Sequence, residues 1–188
     1  MKTRASRKFN CDDQERPSWL DRAERAASLL RIVASHHRGP LAISDVGCGD
    51  MKMRSCIEDA GVQCEYRGFD IVPQTPDVVR LDLHKDRLPV PTDVVVLLGV
   101  SEYLDDLPAI VARLATEAEW FLVSHVIEES SSYTQEQLRK LGWRNHLSTE
   151  EFTRLLEDNG FVVTERDLTD NRRTMLWLCR SKHRSAAR

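Results

Sequence analysis

The pattern of apolar positions predicts helices and strands that alternate along most of the chain. Apolar residues from Leu20 to Val33 recur at helical spacing, with Ser18 placed to cap the helix. A short apolar strand at 41–46 follows Gly39-Pro40 and runs into a loop that contains glycines. Beyond this loop we expect a helix at 51–60, strands at 62–70, 78–82, 93–99 and 120–126, and a helix after Asp105-Asp106.

The last third of the chain has a different pattern. An irregular polar segment covers 127–147, and Ser148 to Glu151 then form a capping-box pattern that opens an amphipathic helix. Two final strands are expected at 161–165 and 174–179. Because no helix separates these two strands, we expect them to pair antiparallel.

The alternation of strands and helices predicts the fold class. The run from Asp93 to Gly99 is continuously apolar, which is typical of a strand buried on both faces of a parallel sheet. Strands that alternate with helices indicate an α/β fold with a doubly wound, mostly parallel sheet. The C-terminal antiparallel strand pair is an addition to that sheet.

Composition limits the class of protein. The chain has 188 residues, of which 41% are hydrophobic and 30% are charged, as expected for one globular domain. Lys and Arg number 27 against 30 Asp and Glu, a balance that argues against a protein held by nucleic-acid phosphates. We find no signal peptide and no apolar stretch long enough for a membrane span. Five cysteines without an export signal predict free thiols in a cytoplasmic protein.

The loop after the first strand carries the clearest chemical signal. It reads Asp45-Val46-Gly47-Cys48-Gly49-Asp50-Met51, and in α/β sheets ligands bind at this edge. The two glycines allow the backbone to approach a ligand closely. Asp70 ends the next strand, 25 positions after Asp45, where a carboxylate accepts hydrogen bonds from ribose hydroxyls. The sequence therefore predicts an adenosine-containing ligand.

The charge of the loop discriminates between adenosine ligands. A dinucleotide motif needs a third glycine where this chain has Lys52, and a P-loop needs Gly-Lys-Ser/Thr, which this loop lacks. At ~5 Å and an effective dielectric constant of about 20, Asp45 and Asp50 would each cost roughly 3 kcal/mol per phosphate charge. S-adenosylmethionine carries a sulfonium and an ammonium group instead, so acidic flanks attract it.

These motifs resemble the class I (Rossmann-like) S-adenosylmethionine-dependent methyltransferases. The resemblance rests on Asp45-x-Gly47-x-Gly49, Asp70, Asp82 and the segment 98–104, and it implies that family's seven-stranded sheet. It also implies that the loop glycines cradle the methionine part of the donor, that Asp45 assists the ammonium group and that Asp70 binds ribose. The implied cofactor-binding residues are Asp45, Gly47, Cys48, Gly49, Asp70, Ile71, Asp82, Leu83 and Gly99.

The chain departs from the family pattern at one position of the loop. Met51 stands where the family usually has a third glycine. We expect its side chain to point away from the ligand, or the loop to open.

Methyl transfer is an in-line displacement that needs a base only when the acceptor arrives protonated. The candidate catalytic residues are His125 and Glu102, and the candidate acceptor-binding residues are Ser101, Tyr103 and His146. The alternatives are that His125 is a buried structural histidine, that Glu102 supports its loop and that His146 only neighbours a helix cap. No metal site is expected, because Cys48, Cys56 and Cys64 are spaced by eight positions.

The sequence thus predicts an enzyme that moves a methyl group to an oxygen or nitrogen of a small molecule. The alternatives are a non-catalytic binding module of the same fold and an RNA or protein methyltransferase that uses basic tails. Neither a membrane nor a nucleic acid is the expected partner. We expect a flexible arm at 1–17, the methyltransferase domain at 18–180 with 127–147 as a candidate lid over the acceptor, and a basic tail at 181–188.

Overall fold

The computed structural model describes residues 17–130 and 133–184. Within these residues the helices are α1 (Pro17–Ser35), α2 (Lys52–Asp59), α3 (Leu107–Glu117), α4 (Gln135–Leu141) and α5 (Thr149–Asp158). The strands are β1 (Leu41–Val46), β2 (Cys64–Asp70), β3 (Val79–Arg80), β4 (Thr92–Leu97), β5 (Ala118–Val126), β6 (Phe161–Leu168) and β7 (Thr174–Ser181). Short 3₁₀ turns lie at Ser101–Tyr103 and Glu128–Ser130.

The strands form one seven-stranded sheet in the order β3-β2-β1-β4-β5-β7-β6. The strands from β3 to β5 in this order are parallel, and β7 is antiparallel to both β5 and β6. The predicted fold class and the terminal antiparallel pair are therefore confirmed. The order of the strands reverses at β1, since β2 and β3 lie on one side of it and β4 and β5 on the other, which opens a crevice at the carboxyl ends of β1 and β4.

Helices cover both faces of the sheet. In β4, Val94 and Val96 pack into the core beneath α1 and α2, whereas Val95 and Leu97 pack into the core beneath α3 and α5. All four of these side chains are fully buried. The continuous apolar run in the sequence therefore marks a central strand with no solvent-facing side.

Of the three N-cap positions predicted for helices, the structure has two. The Asp106 carboxylate accepts a hydrogen bond from the Ala109 amide at the start of α3, and Ser148 and Glu151 form a capping box at α5. The prediction that Ser18 caps α1 is wrong, because the helix already begins at Pro17. Proline is well suited to a first helical position, where its missing N–H has no partner to lose.

The segment 127–147, which was expected to be irregular, contains helix α4. Helix α4 is opened by a capping box in which Thr134 accepts from the Gln137 amide and Gln137 accepts from the Thr134 amide. Leu138 on this helix is buried. With one buried apolar residue in seven, α4 lacks the apolar periodicity by which longer helices are recognised.

The expected C-terminal tail begins later than 181. Ser181 is the last residue of β7, and its hydroxyl donates to the Ala115 carbonyl over 2.6 Å. The Lys182 amide donates to the Gly160 carbonyl over 2.8 Å. The remaining tail, 185–188, and residues 1–16 of the expected arm lie outside the described residues.

Two further observations concern the cysteines and the helices of the described residues. Cys48, Cys56, Cys64 and Cys179 are free thiols, while Cys11 lies outside the described part. None of the described helices has the length and apolar content that crossing a bilayer requires.

Candidate active site

A cleft opens at the carboxyl ends of β1, β2 and β4, where the sheet topology predicts a ligand. Helix α1 contributes Trp19 and Arg22 to the wall of this cleft. All of the predicted cofactor-binding residues and one predicted acceptor residue line it. They are Asp45, Gly47, Cys48, Gly49, Asp70, Ile71, Asp82, Leu83, Gly99 and Tyr103.

The glycine loop is held against the end of β2 by its own amides. The Gly47 and Cys48 amides both donate to the Phe69 carbonyl, over 2.7 and 3.1 Å, and the Gly49 amide donates to Asp70 Oδ2 over 3.1 Å. A pyrophosphate in a dinucleotide site needs such amides as donors. These three amides are already engaged, so they are not available as donors to a phosphate.

The loop approaches β4 too closely for any side chain at Gly47. Gly47 has φ of 76°, and a Cβ atom on it would lie 2.3 Å from Val100 Cγ2. Met51 also has a positive φ, 60°, at the start of α2. Its side chain is not part of the cleft wall, so of the two expected arrangements the structure has the one in which the side chain points away.

Asp70 is fixed at the end of β2 by hydrogen bonds to both carboxylate oxygens. Oδ1 accepts from the Val72 amide over 2.9 Å, and Oδ2 accepts from the Gly49 amide. The residue is 8% exposed and faces the cleft. The carboxylate is therefore held in one orientation, with lone pairs left to accept hydrogen bonds from a ligand.

Asp45 is a buried carboxyl group at the base of the cleft. Its Oδ2 accepts a hydrogen bond from the Tyr66 hydroxyl on β2. The pKa of Asp45 is raised to about 7, chiefly by burial and also by the nearby Asp70 charge, while the Tyr66 hydrogen bond and the Arg22 charge act in the opposite direction. Asp45 is thus poised to change its charge near neutral pH.

Helix α1 contributes a cation, Arg22, to the cleft near the buried Asp45. The Arg22 guanidinium lies 5.3 Å from the centroid of the Trp19 ring, and a Cβ atom on Gly99 would lie 2.8 Å from Arg22 Nη1. Burial lowers the pKa of Arg22, while Glu102, Tyr103 and Asp45 act to raise it. The cleft therefore presents a positive group and a buried acid close together, which complements a zwitterion such as an amino acid.

The loop after β3 forms the opposite wall of the cleft. His84 Nε2 accepts from the Asp105 amide over 3.0 Å, so Nδ1 carries the proton and donates to Asp82 Oδ1 over 3.1 Å. Although burial acts to raise it, hydrogen bonds from His84 and the ion pair with Lys85 hold the pKa of Asp82 below its usual range. The Asp82 carboxylate is committed to its own turn, whereas the apolar Leu83 side chain lies beside it on the cleft wall.

The structure does not place His125 on the cleft. The residue is fully buried, its Nε2 accepts from the Leu147 amide over 3.1 Å, and its Nδ1 donates to Ser101 Oγ over 2.9 Å. The ring stacks on Phe152 at 4.5 Å between centroids, and burial lowers its pKa. Both ring nitrogens are thus engaged within the fold, and the structure does not bring His125 to the cleft, so its expected catalytic role stays a prediction.

Glu102 and Ser101 are also buried and engaged. Glu102 Oε1 accepts from the Val126 amide over 2.9 Å, and its carbonyl accepts from the amides of Arg144 and Asn145. Ser101 Oγ donates to the Ser124 carbonyl over 2.9 Å. Neither side chain lines the cleft, and the hydrogen bonds of both support the loops around it, so the catalytic role of Glu102 and the acceptor contact of Ser101 stay predictions.

Two aromatic rings pack beside Tyr103, and we call this cluster, of which Tyr103 lines the cleft, the rim. Trp143 lies edge-on to Tyr103 at 6.5 Å between centroids, and Tyr133 lies edge-on to Trp143 at 5.7 Å. His146 lies 5.8 Å from the Trp143 ring and is not part of the cleft wall. Tyr103 is therefore the expected acceptor residue that the structure brings to the cleft, and His146 is one that it does not.

Asn145 fastens this rim to the loop after β4. Its Nδ2 donates to the carbonyls of Ser101 and Leu104, over 2.8 and 2.7 Å. Arg144 adds an ion pair with Asp105 at 3.0 Å. The rim segment 143–147 is consequently joined to the same loop that forms one wall of the cleft.

The sequence analysis missed Trp19, Arg22, Lys52 and His84, all of which line the cleft. Lys52 Nζ pairs with Asp50 at 2.7 Å, which neutralises one of the acidic flanks. The position of Arg22 could have been inferred by asking which cation would complement the carboxylate of a zwitterionic donor. Nothing in the local sequence, however, shows that α1 lies across the cleft.

The geometry defines the class of protein. In this cleft the Gly47, Cys48 and Gly49 amides are engaged, an acid ends β2, and a buried acid and an arginine both line the wall, which suits S-adenosylmethionine. The fold and the site are those of a class I S-adenosylmethionine-dependent methyltransferase. Among the described residues, no group of three or more potential ligands forms a metal site.

Comparison with known proteins gives the family. A family model described as a methyltransferase domain matches residues 18–166, and the chain belongs to this family. No match to the chain was found among curated proteins.

Solved structures share the fold at low sequence identity. The chain is similar to a putative methyltransferase from Haloferax volcanii in complex with the Trm112 methyltransferase activator, with a TM-score of 0.73, 17% identity and coverage of 97% of this chain and 96% of that one. It is also similar to magnesium protoporphyrin IX methyltransferase from Synechocystis, with bound S-adenosylhomocysteine (TM-score 0.62, 17% identity, 96% and 89% covered). A third is 1,6-didemethyltoxoflavin-N1-methyltransferase from Burkholderia thailandensis (TM-score 0.65, 14% identity, 96% and 91% covered).

Proposed function

We propose that this methyltransferase transfers the methyl group of S-adenosylmethionine to an oxygen or nitrogen atom of a small molecule. The observation that carries the proposal is that Arg22 and the buried Asp45 line the same cleft as Tyr103. When bound, the donor supplies an activated methyl group on a sulfonium, so the protein's task is alignment and exclusion of water.

Each part of the donor has a matching group in the cleft. We assign the donor carboxylate to Arg22, its ammonium to Asp45 and the ribose hydroxyls to Asp70. The adenine ring is assigned to the apolar wall that includes Ile71 and Leu83. This fit rests on charge complementarity and on the engaged loop amides, which disfavour phosphate-bearing ligands.

The acceptor is assigned to the side of the cleft that Trp19 and Tyr103 line. Aromatic walls of this kind suit a small molecule, because they exclude water and pack against flat or apolar groups. Three of the neighbours support this assignment by their names, since they act on or bind a porphyrin, a toxoflavin precursor and a naphthoic acid. Because His125 and Glu102 are engaged elsewhere, we assign them no proton transfer.

A labelled-donor assay tests this function. Purified protein and methyl-labelled S-adenosylmethionine are incubated separately with mixtures of phenols, sugars, amines, total RNA and unfolded protein, and label in each acceptor is counted. We expect label in a small-molecule mixture. Label only in RNA or protein would overturn the small-molecule acceptor. Donor binding in calorimetry with no transfer to any class would favour the non-catalytic binding module.

A further inference from the structure

We propose that Tyr66, on β2, is a positioning residue that holds the Asp45 carboxylate in the ionised form that binds the donor. No role in the donor site was expected for this tyrosine from the sequence. The inference rests on the assignment of Asp45 to the donor ammonium in the proposed function.

The register of the sheet explains how Tyr66 reaches Asp45. In the parallel pairing of β1 and β2, Tyr66 lies beside Ile43 and Gly68 lies beside Asp45, so all four positions share one face. Asp45 is therefore the next residue along this face of β1 after the register partner of Tyr66. The Tyr66 hydroxyl reaches diagonally across the two strands and donates to Asp45 Oδ2.

The groups around Asp45 make this one hydrogen bond important. Asp45 is 3% exposed and faces the charge of Asp70 at the end of β2, and both burial and this charge disfavour its ionised form. Arg22 from α1 and the Tyr66 hydroxyl favour the ionised form.

The other neighbours of Asp45 contribute less to its charge. On β4 its register partner is the apolar Val96, and the Cys48 thiol of its own loop stays neutral because burial raises its pKa. Asp50 and Lys52 on the cleft wall form an ion pair with each other.

Tyr66 also keeps its own proton. Burial and the neighbouring Asp45 raise the pKa of the Tyr66 hydroxyl above its ordinary value, so it acts as a donor at every pH used for binding. Removal of this donor leaves Asp45 more strongly protonated in the empty cleft. Binding of the cationic donor to such a variant then releases a proton from Asp45 at pH values where Asp45 of the wild type is already ionised.

The test is calorimetric titration of the protein with S-adenosylmethionine at pH 6.0, 7.0 and 8.5, in buffers of different ionisation enthalpy. This comparison counts the protons released on binding. The variants are Tyr66→Phe, which keeps the ring, Asp45→Asn, and the double variant. The donor's own amine contributes equally to all four proteins, so differences between them report Asp45.

Compared with the wild type, Tyr66→Phe should release about half a proton more per bound donor near pH 7.5, a value interpolated from the three pH values. It should also bind the donor about fivefold more weakly at pH 7.0. The difference from the wild type should shrink at pH 8.5. In the Asp45→Asn background the same tyrosine change should have no effect on either quantity.

The outcomes separate two failures. If the wild type does not bind S-adenosylmethionine, the proposed function fails. If the wild type binds but Tyr66→Phe leaves proton release unchanged, or weakens binding equally in the Asp45→Asn background, the role of Tyr66 is overturned. Thermal unfolding of each empty variant shows whether the fold is retained, and a proton count per bound donor remains valid even in a partly destabilised variant.

Discussion

Met51 packs its side chain into the space that Gly68 leaves on β2. A Cβ atom on Gly68 would lie 3.1 Å from Met51 Sδ and 2.9 Å from Cys48 Sγ. The glycine that the family usually has in the loop is absent, and a glycine on the neighbouring strand makes room for its replacement. The loop can therefore hold a non-glycine residue at positive φ without obstructing the donor.

This relationship predicts that Gly68→Ala destabilises the protein by about 1–3 kcal/mol through overpacking. Met51→Gly in the same chain should recover part of that loss, because it removes one of the two clashing side chains and suits the positive φ. Chemical denaturation of the two single variants and the double variant measures the coupling. Strictly additive effects would show that the two residues do not share this space.

Arg22 is predicted to recognise the donor carboxylate. Arg22→Gln should weaken S-adenosylmethionine binding about tenfold, since a hydrogen-bonded charge pair in a partly buried site is lost. The same variant should bind the decarboxylated donor as well as the wild type does. Calorimetry with both ligands tests this, with Arg31→Gln as the control because Arg31 is exposed on the same helix. An equal loss for both ligands would contradict the assignment.

Asp70 is predicted to bind ribose. Asp70→Ala should weaken donor binding by at least ~1.5 kcal/mol, the loss expected for hydrogen bonds to a charged acceptor. The exposed Asp77 on the following loop gives a matched control, and Asp77→Ala should leave binding unchanged. Unaltered donor affinity in Asp70→Ala, measured by titration, would remove the ribose assignment.

His125 is predicted to make folding stability depend on pH. Burial lowers its pKa in the folded protein, so below the ordinary value of about 6.5 the unfolded chain binds a proton that the folded chain does not. This contribution to stability is present above pH ~6.5 and is lost as the pH falls further. Asp45, with its raised pKa, acts in the opposite direction, so the histidine must be isolated by a variant.

The variant His125→Phe keeps the ring stacked on Phe152 but leaves the Leu147 amide without its acceptor. We expect it to cost about 2 kcal/mol at pH 8, and less at pH 5, where the wild type is itself weakened. Urea unfolding at both pH values measures the difference. Donor affinity at pH 8 should be unchanged, because His125 does not line the cleft, and a large loss of affinity would contradict this placement.

The sequence predicted the sheet and the donor side of the cleft because their signals are local. Strand runs, the Asp45 loop and Asp70 at a strand end each have a pattern that can be read within a few residues. The contribution of Arg22 depends on how α1 crosses the sheet, which no local pattern encodes. His125 and Glu102 were assigned to the cleft because they lie at strand ends, but only the packing shows that their polar atoms turn inward.

The two side-chain bonds of Asn145 have a consequence for how the acceptor is chosen. They tie the aromatic rim to the carbonyls of Ser101 and Leu104, so the edge to which we assign the acceptor is fastened to the loop beside the proposed donor site. Under the proposed function, the shape that selects the acceptor would be formed before either substrate arrives. Exchange of rim side chains would then alter the preferred acceptor without changing the residues assigned to the donor.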